Sequence, residues 1–159
     1  MSNVEHILLH TGLSPEQVAE RLAESLGATL TRHEQGEVSV RRVVSTGNAE
    51  GTVGGLVAEN DEYKDHPETD VESIYNGYDT LYEIWSTIPR EDLQHADAKT
   101  IFSEITARLH WPAAHAEEGG SLYSAWDPKL GRTDFPPGTS VDSPHRDLWK
   151  AYAHPNLTG

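Results

Sequence analysis

Asn3-Val4-Glu5-His6-Ile7-Leu8-Leu9-His10-Thr11-Gly12 opens the chain, and its reading decides how the fold begins. Val4, Ile7 and Leu8 recur at a spacing that puts them on one side of a short helix over Asn3 to His10, with Gly12 as its stop. Leu13-Ser14-Pro15-Glu16-Gln17-Val18 follows and carries a full helix-start signature. Ser14 is the N-cap, Pro15 takes the first helical position, Gln17 completes a capping box, and Leu13 and Val18 form a hydrophobic staple. Val18, Leu22 and Leu26, with Ala19 and Ala23, make the buried stripe, and Gly27 ends the helix.

Two helices joined by Thr-Gly-Leu-Ser have the order of a helix-turn-helix, which would mean DNA binding. The second helix carries Glu16, Glu20 and Glu24 against Arg21 alone, a sign that phosphate repels. Further out, Ala28 to Val44 alternates with a period of two around Gln35-Gly36 and predicts a β-hairpin. Ser45 to Gly51 is expected as a loop and Thr52 to Ala58 as a third strand, where Gly54-Gly55 marks a bulge or a close backbone approach. The segment 59–73, with Pro67 and few apolar residues, is expected as an exposed loop. Tyr75 to Ser86 predicts a strand, with Tyr78, Thr80, Tyr82 and Ile84 on one side and Asp79, Leu81, Glu83 and Trp85 on the other.

Pro89 to His95 reads as a helical turn, and Asp97 as the cap of an amphipathic helix running to His110. Ile101, Phe102, Ile105 and Leu109 form its stripe, and Glu104 and Arg108 an i,i+4 pair. Ser121 to Trp126 predicts a strand, Asp127 to Asp142 a long loop, and Ser143 onward a final short helix through Trp149 and Tyr152. Trp85, Trp111 and Trp149 border apolar stripes and are expected in the core. The order α-β-β-β-β-α-β-α, with no repeat and no linker, predicts one α+β domain over 1–159. Its mainly antiparallel sheet has about four to five strands, packed with two or three helices.

Charge carries the functional signal. The chain has 159 residues and a formal net charge of −14. Between Glu59 and Trp85, nine carboxylates face Lys64 alone, with Tyr63, Tyr75, Tyr78, Tyr82 and Trp85 interleaved. Such a balance disfavours nucleic acid and anionic membrane surfaces and favours a basic protein partner, reached by electrostatic steering. The absence of cysteine excludes a disulfide framework and thiolate-ligated metal. No signal peptide and no membrane-length apolar run is read, so a cytoplasmic protein is expected, as a monomer or weak dimer.

Catalytic and cofactor motifs are missing. His6 and His10 stand four apart, but a zinc-peptidase helix needs Glu directly after the first histidine, where this chain has Ile7. His110 and His115 are split by Pro112, and Asp65-His66 stands alone, so the histidines are read as exposed or capping and no metal or other cofactor is expected. No nucleophile elbow or phosphate loop occurs. Asp79 and Glu83, four apart on a strand, are about 13 Å from one another at ~3.3 Å per residue, too far for paired-carboxylate hydrolysis.

An acidic, cysteine-free single domain without catalytic signature resembles the immunity proteins of bacterial polymorphic toxin and contact-dependent inhibition systems. Val71 to Trp85, the acidic loop before it, and the Ser14 to Leu26 helix beside a hairpin carry the resemblance. It implies a non-enzymatic protein that covers the basic site of a cognate toxin, such as a nuclease. The physical reading agrees. Glu59, Asp61, Glu62, Asp65, Asp70 and Glu72 are expected to steer a basic partner, and Tyr75, Tyr78, Asp79 and Tyr82 to anchor it. An adaptor for a partner that is not a toxin, and a small enzyme using Asp79, Glu83 and a histidine, are the alternatives.

Overall fold

Glu5–Leu9 forms a strand, β1, and it lies at the centre of an eight-stranded antiparallel sheet. The computed structural model describes residues 4–46, 49–63, 72–88, 90–118 and 120–153. After β1 come α1 (Pro15–Leu26), β2 (Thr29–Arg32), β3 (Val38–Thr46), β4 (Ala49–Glu59) and β5 (Thr80–Ser86). Then follow α2 (Glu91–Arg108), β6 (Ala113–Glu117), β7 (Leu122–Asp127), β8 (Gly131–Asp134) and the short α3 (Arg146–Trp149). The strand order is β2-β3-β4-β5-β1-β6-β7-β8. From β1 the chain leaps through α1 to the β2 edge and returns by hairpins to β5, beside β1. Through α2 it then passes over β1 to β6 and meanders out to β8.

Two expectations are corrected here. The protein is α+β, but the sheet has eight strands, not four to five, and the opening segment is a strand, not a helix. Every residue of β1 is buried, because it is paired on both edges and covered on both faces. A strand in that position has no polar face, so its apolar run imitates a helical stripe. With it the helix-turn-helix order disappears.

The helix at 15–26 forms as its caps dictate. Ser14 Oγ accepts from the Gln17 amide, Gln17 Oε1 accepts from the Ser14 amide, and Gly27 closes the helix at φ 62°. Removing the Ser14 cap costs about 1 kcal/mol. Val18, Ala19, Leu22 and Leu26 are buried against the sheet, and Arg32 pairs with Glu16 and Glu20 on the outer side. α2 starts at Glu91, so Asp97 sits within the helix instead of capping it. Ile101, Phe102 and Ile105 are fully buried as expected. Arg42 of β3 ties the two helices to the sheet: it donates to the Leu26 carbonyl and to Glu104, which Arg108 also meets.

One core lies between the sheet and the two helices and includes Ile7, Leu9, Val40, Val53, Tyr82, Ile84 and Phe102. A second lies on the opposite face under the C-terminal segment and holds Leu8, Ile74, Tyr78, Leu122, Ala125, Trp149 and Tyr152. Trp111 and Trp149 are in the cores, but Trp85 is half exposed, with the Arg41 guanidinium stacked 3.9 Å above its ring. Trp85 faces away from the helices on β5, beyond the cover of the C-terminal segment. At Gly54 the chain makes the close approach expected of it. With φ at 133°, any Cβ there would sit 2.0 Å from the Val40 carbonyl oxygen.

Three further differences are local. The segment 45–51 belongs largely to β3 and β4 rather than to a loop, and Tyr75 lies in a 3-10 turn, Ile74–Gly77, ahead of β5. Strands β6 and β8 fall where none was expected. Among the described residues, no helix is long and apolar enough to cross a membrane.

Candidate functional site

Successive residues of β1 point to opposite faces of the sheet. Glu5, Ile7 and Leu9 face the helices; His6 and Leu8 face the C-terminal segment. Glu5 and His6 therefore serve opposite faces of the sheet.

The His6 cleft, about 490 Å³, is lined by His6, Glu59, Asn60, Asp61, Glu62, Ser73, Tyr75, Leu81, Glu118, Val141 and Asp142. Glu59, Asp61, Glu62, Glu118 and Asp142 are exposed and come from separate stretches of chain, and among the described residues no lysine or arginine lines the cleft. Asn60 holds the 59–62 stretch in place: its Nδ2 donates to the carbonyls of Tyr75 and Tyr78 at 2.7 and 2.8 Å. Asn76 Nδ2 donates to the Glu62 carbonyl at 2.7 Å, clamping the stretch to the 3-10 turn. Asp142 is placed by a bridge to Ser73, and Glu118 by its amide bonding to Val4.

At the base, the Tyr75 hydroxyl meets His6 Nδ1 at 2.8 Å. Burial holds the His6 imidazole below the usual histidine value, with Glu118 pulling the other way. Burial pushes the Tyr75 hydroxyl far up, and Glu62, Glu118 and Asp142 push in the same direction. The fields of three cleft carboxylates thus converge on one neutral hydroxyl. Any cation entering relieves that crowding.

Of the residues expected to form the partner surface, Glu59, Asp61, Glu62 and Tyr75 meet in this cleft. Glu72 is exposed but does not line it. Asp65 and Asp70 lie outside the described residues. Tyr78 and Tyr82 correct the expectation, since both are buried and their hydroxyls are spent on carbonyls, those of Tyr152 and Val40. Tyr75 is buried too, so it floors the cleft rather than projecting from it. Asp79 is committed within the fold, accepting from the amides of Thr11 and Gly12 and from the Thr80 hydroxyl. Glu118 and Asp142 were missed because they reach the cleft only through tertiary structure.

On the helix face the second cleft, about 510 Å³, includes His95, Lys99, His115, Tyr123, Ser124, Asp134 and the Phe135 to Gly138 stretch in its lining. Two of these lining residues reach Glu5 of β1, whose Oε1 is 2.7 Å from His115 Nε2 and 2.9 Å from His95 Nδ1. Glu5 and His115 are almost wholly buried, and His95 is half exposed at the mouth. Burial raises the Glu5 carboxyl, but the two histidines more than offset it and leave it below the ordinary value. Burial also holds His115 below the usual histidine range against the pull of Glu5. The cluster is a carboxylate accepting from two imidazoles.

A β-bulge shapes this cleft. The pairing of β6 with β7 slips between His115 and Ala116, so that His115 faces Ser124 and Ala116 faces Leu122. Leu122 and Ala125 both enter the C-terminal core although three apart, and the intervening Tyr123 is re-aimed onto the histidines. Its ring lies 4.4 Å from that of His95 and 4.9 Å from that of His115, and its hydroxyl donates to Glu117. Burial and Glu117 push that hydroxyl up to about 12.

The chain matches no family model, and no curated protein or solved structure matches it.

Proposed function

We propose that the protein binds and neutralises a basic protein partner through the acidic cleft, in the manner of an immunity protein that blocks a cognate toxin domain in the cytoplasm. One observation carries the reading. Five exposed carboxylates surround a single cleft, and among the described residues none that lines it is a lysine or arginine. Carboxylates so arranged repel one another until a cation arrives, and a lysine or arginine side chain is the natural occupant. Exposed pairs of this kind contribute about 0–1 kcal/mol each, so the array acts more on association rate and choice of partner than on raw affinity. Leu81, Val141 and the Tyr75 ring give the inserted chain an apolar wall for its methylene stem.

The test is capture from the native source at low salt, with tagged protein as bait and mass spectrometry as readout. A parallel bait carries Glu59→Lys, Asp61→Lys and Glu62→Lys together. The expected result is a basic polypeptide, toxic when expressed alone, retained by the unaltered bait only. With that partner purified, charge reversal should slow association at least ten-fold and flatten its dependence on salt. Equal retention by both baits removes the cleft from the interface. A basic partner without toxicity makes the protein an adaptor instead.

A further inference from the structure

We propose that Glu5, His95 and His115 form a three-ligand site for a divalent transition-metal ion of the zinc class, with its open position toward the helix-face cleft. This site is independent of the acidic cleft. It draws on β1, α2 and β6, elements 90 and 110 residues apart in sequence, so no spacing motif announces it. One donor atom from each residue lies within 4.8 Å of the others. Two imidazole nitrogens and a carboxylate oxygen are the donors zinc accepts, and catalytic or exchangeable zinc sites keep three protein ligands and one free position.

The fit is close. Around a tetrahedral ion with bonds of about 2.0–2.1 Å, ligand atoms stand roughly 3.3 Å from one another. The imidazole nitrogens are now 2.7 and 2.9 Å from the Glu5 oxygen, so each pair needs to open by roughly half an ångström. His95, half exposed at the cleft mouth, has room to move. The two N–H protons now directed at Glu5 pass to the other ring nitrogens or to water, and the nitrogen lone pairs turn to the ion. Glu5 stays ionised, so a divalent ion leaves the site with net charge +1. Phe102 and Tyr123 wall it, with the Phe102 ring 5.9 Å from that of His115. Lys99, which also lines the cleft, favours an oxygen-donor anion or water as the fourth ligand.

The test uses the full chain, stripped with a chelator and titrated with Co(II), then with Zn(II) in competition. Expected are one ion per chain by native mass spectrometry, visible d–d bands of a four-coordinate Co(II) site, and a rise in melting temperature with Zn(II). His95→Ala and Glu5→Gln should each weaken uptake at least 100-fold and abolish the bands, while His33→Ala, on the far hairpin, changes neither. The two variants lie on different elements, so failure of one to fold leaves the other to decide. No uptake, or uptake that a folded His95→Ala or Glu5→Gln protein retains, overturns the site.

Discussion

Glu5 and His6 are adjacent in the chain yet belong to opposite kinds of polar site. Glu5 is buried in a cluster whose partners are internal, one carboxylate between two imidazoles. His6 floors a cleft whose charges, among the described residues, are all exposed carboxylates. Burial forces the first to be satisfied within the fold, since an unpaired buried charge costs several kcal/mol. Exposure lets the second remain unsatisfied at little cost, because water screens it. The same strand thus supplies, in the metal-free protein, one polar site satisfied within the fold and one whose carboxylates are left to solvent.

The sharpest way to break this contrast is Glu5→Ala. It leaves two imidazole N–H groups without their acceptor and should cost about 3 kcal/mol in denaturant unfolding of metal-free protein. A loss under 0.5 kcal/mol would mean the cluster is no more internal than the cleft. Tyr75→Phe removes the partner of His6 Nδ1 and should cost about 1 kcal/mol, since that hydroxyl is buried. Glu104→Gln supplies a carboxylate matched by arginines for reference, with an expected loss of about 1 kcal/mol at pH 7. The hydrogen bond from Arg42 holds Glu104 below its ordinary value. Its contribution is therefore complete above the unfolded value, about 4.3, and fades as the pH falls through the lower folded one. The gap between the variant and the unaltered protein should close in acid; a gap that widens there would refute the pairing. Smallest of all, Glu59→Gln, Asp61→Asn and Glu62→Gln combined should move stability by no more than about 0.5 kcal/mol. A loss above 1 kcal/mol in thermal melts would show that the acidic cleft, too, is held internally.

What could be read beforehand was what depends on neighbours in sequence. The Ser14 capping box, the Gly27 stop and the Gln35-Gly36 turn specify their local geometry, and each forms as expected. The opening strand and Ala113–Glu117 could not be read, because strands covered on both faces lose the alternation that marks a half-buried strand, and alanine is a poor strand former. β8 is only four residues within a Gly- and Pro-rich stretch. Charge marked 59–73 as an exposed acidic loop, of which Glu59, Asp61 and Glu62 line the cleft, but the tyrosines beside it misled. Acidic neighbours imply exposure only when all side chains share a side, and Tyr78 turns inward between Gly77 and Asp79. The histidine cluster left no local trace.

The central position of β1 also sets a timetable. Its first pairing joins Leu9 to Thr80, and its other edge waits for Ala113–Glu117. At about 5–20 residues per second, the ribosome needs on the order of ten seconds to deliver both partners. Until Thr80–Ser86 has been made, Ile7, Leu8 and Leu9 have no strand of the sheet to pair with. Closure across so long a span makes the pairing of β1 with β6 slow. Both clefts therefore depend on pairings of β1 with strands made long after it.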